Sequence, residues 1–185
     1  MSKHAFRGFM QRLRGFSAAK GGLAAVEFAV LAPTMILILF GSVDLLDMLH
    51  ANRRAQNTAA SLADVVARDT EVSTAEIQGL WSAMDVLMFP NAGAAVQVRV
   101  SSVRIVSSSR AEVVWSEGRG MSARNPGEEV AGLPEQMMQP GSSLIWTETV
   151  FPYRSPLGFL TDGVSTFRHS AYRRSRLVDP IPRVG

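Results

Sequence analysis

Residues 23–43 form an apolar run with one charge, Glu27, and beyond it the apolar positions thin to a spacing of three and four. Leu45, Leu49, Ala55, Ala59, Leu62 and Val66 keep that spacing, broken only near Asn52, while Arg53, Arg54, Gln56, Asp64 and Arg68 occupy other faces. That period is the mark of an amphipathic helix lying on a globular body. Joined, the two runs predict one helix over residues 23–68, about 69 Å long at 1.5 Å per residue. Its first part, about 31 Å, is enough to cross the hydrocarbon core of a bilayer. Pro33 lacks a backbone donor and crowds the preceding turn, which predicts a kink around residues 29–33.

A second helix is predicted over residues 74–88. Ser73 and Glu76 make a capping-box pattern, Ile77, Leu80, Trp81, Met84 and Leu87 make one face, and Pro90 and Gly93 end it. The period then changes to two. Val96, Val98 and Val100 alternate with Gln97 and Arg99, and the run continues through Val103 and Ile105. Further strands are expected at 110–117, at 144–153 with Trp146 and Phe151, and at 163–173. Residues 118–143, rich in Gly, Pro and Ser, read as loop with one short turn at 134–138. The expected fold is α+β: a small antiparallel sheet of three to four strands, covered on one face by two amphipathic helices. The expected organisation is a basic leader (1–22), a membrane span (23–43), its amphipathic extension (44–69) and a globular domain (70–185).

Charge sharpens this picture. Lys3, Arg7, Arg12, Arg14 and Lys20 lie in residues 1–22 with no acid; without those five, 14 Lys+Arg face 16 Asp+Glu, a net −2. The basic character therefore belongs to the leader, which argues against a nucleic-acid surface on the body. Basic residues before the span and Asp44 and Asp47 after it place the leader in the cytoplasm and the domain outside. A cleaved secretory signal fits poorly, because the apolar run exceeds the usual length, contains an acid and leads to no small-x-small site. The chain has no cysteine, so disulfides, thiolate metal sites and cysteine nucleophiles are excluded.

The most specific signal is Gly22-Leu23-Ala24-Ala25-Val26-Glu27-Phe28 at the border of the basic leader. An acid at the start of an apolar helix is costly and asks for a reason. This stretch resembles a type IV prepilin processing site, in which a membrane peptidase cuts after Gly and leaves Glu as the fifth mature residue. Gly22 and Leu23 match the cut bond, Glu27 the acid and Phe28 its neighbour. The wider run Gly21 to Pro33, with apolar residues on to Phe40-Gly41, is similar to TadE-like pilus assembly proteins. Phe151-Pro152-Tyr153-Arg154-Ser155-Pro156-Leu157 and the Arg-rich end also resemble that family.

The resemblance implies a pilin-like minor pseudopilin of the tight adherence machinery that builds Flp-type pili, anchored in the bacterial inner membrane with its C-terminal domain in the periplasm. It implies cleavage by a prepilin peptidase, and as partners other pilin and pseudopilin subunits and the inner-membrane assembly platform. The chain is too short for an added von Willebrand-type domain, as in larger TadG-like proteins. The competing expectation is an unprocessed single-pass protein whose domain binds an envelope partner.

An enzyme is not expected. His4, His50 and His169 lie in different segments, and no Gly-x-Ser-x-Gly elbow, phosphate loop or HExxH pair is present. No catalytic residue, metal site or cofactor is assigned. Asp44 and Asp47 are one turn apart but lack a third ligand, so they read as a charged boundary that stops the helix sliding into the membrane. Arg168, Arg173, Arg174 and Arg176 read as solvated surface, and Trp81, Trp115 and Trp146 as core.

Overall fold

The computed structural model describes residues 20–91, 95–159 and 163–185; the leader positions up to residue 19 lie outside them. One helix, α1, runs from Lys20 to Val66. Its 47 residues correspond to about 70 Å. It continues through Pro33 as a single helix, so the proline does not end it.

Along its outer half the buried positions are Ala51, Ala55, Thr58, Ala59, Leu62, Ala63 and Val66. These recur at three and four, and most are small, so the helix axis can lie close to the sheet beneath. Leu45 and Leu49, expected on this face, are instead exposed. The face turned to the body at that level carries Asp44, Asp47 and Met48.

After the two-residue strand β1 (Val72–Ser73) comes α2 (Thr74–Met88). The expected capping box is formed: Glu76 N–H donates to Ser73 Oγ, and Ser73 N–H donates to Glu76 Oε2 at 2.6 Å. Ile77, Leu80, Met84 and Met88 point inward from α2, whereas Leu87, expected on this face, is exposed.

The sheet has five antiparallel strands rather than three or four, in the order β4-β3-β2-β5-β6. They are β2 (Gln97–Ile105), β3 (Ala111–Arg119), β4 (Glu129–Val130), β5 (Ser143–Arg154) and β6 (Val164–Arg174). The strand missed from the sequence, β4, is two residues long and lies in the Gly/Pro-rich segment, too short to show a period. The turn anticipated at 134–138 is a 3₁₀ helix, Glu135–Met137. Apart from the sheet, β1 pairs in parallel with β7 (Arg183–Val184). Arg183 secures that pair through Glu117 at 2.9 Å and Thr74 Oγ1 at 2.9 Å.

The two faces of the sheet have different covers. Val98 and Val100 of β2, Ile145, Phe151 and Tyr153 of β5 and Ala171 of β6 pack with α1 and α2 in the main core, together with Trp115. Trp115 Nε1–H donates to Ile181 O at 2.8 Å, closing the C-terminal segment over one end. Because side chains alternate, Val103, Ile105, Val113, Leu144 and Trp146 form a second cluster, against which Leu133, Met137 and Met138 pack. The segment read as loop is thus a flap that keeps this cluster from water.

The helix-facing side of β5 carries two buried hydroxyls, Thr147 and Thr149, without a hydrogen-bond partner among the described residues. An unpaired buried hydroxyl costs about 1–3 kcal/mol. Thr147→Val should therefore raise unfolding stability by about 1 kcal/mol, read by denaturant titration of the protein in detergent. A loss of stability would mean that this hydroxyl is satisfied.

Candidate functional site

Two regions are the candidates for a functional role, the start of α1 and its junction with the sheet. At the start, Leu23, Val26, Phe28, Val30 and Leu31 are all exposed, as are Met35, Ile36, Leu37, Ile38 and Leu39. Exposure of so many large apolar side chains along one helix is intolerable in water and ordinary in lipid. The helix is long and apolar enough to cross a membrane.

Gly22 lies inside the first helical turns, and a Cβ added there would meet nothing within 4 Å. Packing among the described residues therefore gives no reason for a glycine at this position. Glu27 has no hydrogen bond or ion pair among the described residues, and it sits one turn beyond Leu23 on the same face. Phe28 starts an apolar strip continued by Ala32, Met35, Ile36 and Leu39.

At the junction the structure corrects the sequence reading of Asp44 and Asp47. Asp44 is 3% exposed and turned into the body. It accepts from Ser155 Oγ, and from Phe159 N–H at 2.8 Å. Asp47 Oδ2 accepts from the phenol OH of Tyr153 at 2.6 Å. Burial, then the hydrogen bond and charge of Asp47, push the Tyr153 phenol up to about 12, so it stays a donor at any physiological pH. These carboxylates are clamps that hold the end of β5 against the helix, rather than a solvated boundary.

The clamps continue up the helix. His169 Nε2 lies 2.8 Å from Asn52 Oδ1, and burial lowers the pKa of that ring, favouring the neutral form. Arg54 Nη1 donates to Phe89 O at 2.7 Å. Near the top, Arg176 reaches Asp64 at 2.5 Å and Arg173 stands 3.9 Å from it. Two of the arginines read as solvated surface thus tie β6 and the chain beyond it to α1. Arg174 donates to Gln139 Oε1 at 2.6 Å. Such partly exposed pairs add little individually, but their spacing along α1 couples the apolar helix and the body.

On the outer face, Glu148 accepts from Arg99 Nε at 2.8 Å and from Arg124 Nη1. The Arg124 guanidinium stacks 4.0 Å above the Trp146 ring. Burial alone pushes the Glu148 carboxyl up, but hydrogen bonds and charge from the two arginines outweigh it and hold it below the usual carboxylate range. Sequence reasoning missed this triad. The available signal was a charged pair, Arg99 and Glu148, on a strand face that also bears Trp146. Trp115 and Trp146 are buried as expected, and Trp81 packs against the main core while partly buried.

An apolar helix free of the body at one end and clamped to a helix-covered sheet at the other is the arrangement of an α+β protein with an N-terminal membrane anchor, and α1 is the one helix among the described residues long and apolar enough for that part. Residues 22–64 match the family model of TadE-like proteins, the family that the Gly22–Pro33 stretch resembles. The match covers the apolar helix and most of its clamped extension; the likeness at Phe151–Leu157 lies outside it. No curated protein and no solved structure matches the chain.

Proposed function

We propose that this protein is a minor pseudopilin, cleaved after Gly22 and acting in the initiation or assembly of Flp-type pili. The observation that carries the reading is the conjunction at the helix start. A glycine with no packing role among the described residues precedes an apolar residue, and an acid without a partner among those residues follows five positions after the glycine. Both residues gain a reason if other molecules read them. Prepilin peptidase would cut the Gly22–Leu23 bond, and the carboxylate of Glu27 would meet the new N-terminal amine of a neighbouring subunit.

In this reading residues 1–22 are a cytoplasmic leader, 23–43 span the inner membrane, 44–69 extend the helix and 70–185 form the periplasmic domain. The strip Phe28, Ala32, Met35, Ile36 and Leu39 packs on helices of other pilin and pseudopilin subunits, small Ala32 permitting close approach. The assembly platform acts on the same helix. The clamps at Asp44, Asp47, Asn52 and Asp64 transmit a displacement of that helix to the body. Gly22 and Leu23 are substrate positions of another enzyme, and the chain itself performs no catalysis.

The test is the intact mass and N-terminal sequence of the protein purified from its host's membranes. A mature chain beginning at Leu23 is expected. A chain that keeps residues 1–22 while prepilin peptidase is active would leave the rival reading, an unprocessed membrane-tethered binding domain.

A further inference from the structure

The junction also redraws where the apolar exterior of the molecule ends. From sequence, Asp44 and Asp47 close the apolar segment near Val43. In the fold both carboxylates turn toward the body, where Ser155, Phe159 and Tyr153 satisfy them. What α1 shows outward at this level is Phe40, Val43, Leu45, Leu46 and Leu49, all exposed. Ser42 intervenes, but its hydroxyl donates back to Leu39 O at 2.8 Å and needs no water. The first outward polar side chains beyond are His50 and Arg53. The apolar exterior thus continues for six residues past Val43, about 9 Å of helix.

The tip of the β5–β6 hairpin stands beside this added belt. Phe159 lies with its ring centroid 6.1 Å from that of Phe40, while its backbone is bound by Asp44. Leu157 is 51% exposed and Phe159 43% exposed, in a tip whose polar Ser155 is turned inward to Asp44. Exposed Arg154 sits at the end of β5, where a long cationic side chain can reach phosphate headgroups.

We propose that the hairpin tip, through Leu157 and Phe159, is a second membrane contact that enters the interfacial layer of the outer leaflet of the inner membrane. The occupant is lipid, because the tip is continuous with the apolar surface of the span at Phe40 and Val43. The tip cannot be carried away from the bilayer while Asp44 holds it to a helix turn at that level. The body then rests on the bilayer in one orientation, and lifting the protein out of the membrane requires the tip to leave lipid together with the helix. This inference rests on α1 being the span.

The absence of cysteine allows single labels in the full chain. Spin labels at Leu157→Cys, Phe159→Cys, Leu37→Cys and Leu177→Cys would be placed in vesicles of phosphatidylethanolamine and phosphatidylglycerol. Collision with oxygen and with a water-soluble nickel chelate would then be compared. Leu177 is the water reference: it is exposed and follows Arg176, which binds Asp64, about 30 Å along α1 from Asp44. Leu157 is exposed, so its replacement keeps the fold, and it guards against any disturbance at Phe159.

Both tip labels should meet nickel several-fold less often than the Leu177 label, with oxygen collision intermediate between Leu37 and Leu177. Tip labels as accessible to nickel as Leu177, with Leu37 in lipid, would overturn the tip contact alone. Tip labels shielded from both reagents would overturn it in favour of protein contact. A Leu37 label in water would remove the span, and the tip contact with it.

Discussion

Glu27→Gln, in a chain that keeps its leader, should leave cleavage after Gly22 intact and abolish pilus formation. Among the described residues Glu27 has no partner, and its neighbours Leu23, Val26, Phe28, Val30 and Leu31 are exposed apolar groups suited to lipid. A carboxylate at mid-membrane costs about 2.5–3.5 kcal/mol on insertion scales. Near the membrane edge the cost is smaller, but a partner that removes it still supplies a driving force that glutamine cannot. About 1.4 kcal/mol per contact is already tenfold in an equilibrium. The effect should therefore be a loss of surface pili of at least tenfold in electron micrographs, with mature protein at its usual level in the membrane. Wild-type piliation by Glu27→Gln would end the assembly role of this acid. Accumulation of uncleaved chain would shift its role to recognition by the peptidase.

The second large effect is on stability. Glu148→Ala leaves Arg99 and Arg124 facing each other with side-chain exposures of only 19% and 10%. Removing one member of a buried ionic group costs about 3–5 kcal/mol; partial solvent access here brings the expectation to about 2–3 kcal/mol. For a body of this size that is a fall in Tm of about 10 °C. Glu148→Gln keeps an acceptor and should lose less.

The same triad predicts an acid dependence. The folded pKa of Glu148 lies below its ordinary 4.5, so its contribution is present above that value. It is lost as pH falls through the lowered folded pKa, where the carboxyl protonates in both states. The wild-type and Glu148→Gln melting curves should approach each other over that acid range. A Tm change under about 1 °C for Glu148→Ala would show that the triad is a surface ornament worth no more than an exposed pair.

The elements most legible in the sequence were those whose signal is local. The capping box of Ser73 and Glu76, the inward positions Ile77, Leu80 and Met84 of α2 and the alternation through Val96, Val98 and Val100 each declare themselves within one or two turns or pleats. The five-stranded sheet was undercounted because Glu129–Val130 pairs with Ala111 and Glu112 only through the fold of the flap. Two residues cannot carry a period. Leu45 and Leu49 were misplaced because the spacing of three and four breaks between Leu49 and Ala55, and at 3.6 residues per turn this sets them about a quarter-turn away from the face of Ala55, Ala59, Leu62 and Val66 that the body covers.

Local pattern therefore determined the apolar anchor, the class α+β, the second helix and the Gly22–Phe28 motif, because each depends on covalent neighbours and on burial of a periodic face. Tertiary structure alone decided what Asp44, Asp47 and Glu148 are for. Asp44 meets Ser155 across 111 positions of sequence, and Asp47 meets Tyr153 across 106. A carboxylate has the same sequence signature whether it is solvated or clamped. The difference is made by the donors that folding brings to it, and here they turn an apparent charged boundary into the joint between a membrane helix and its body.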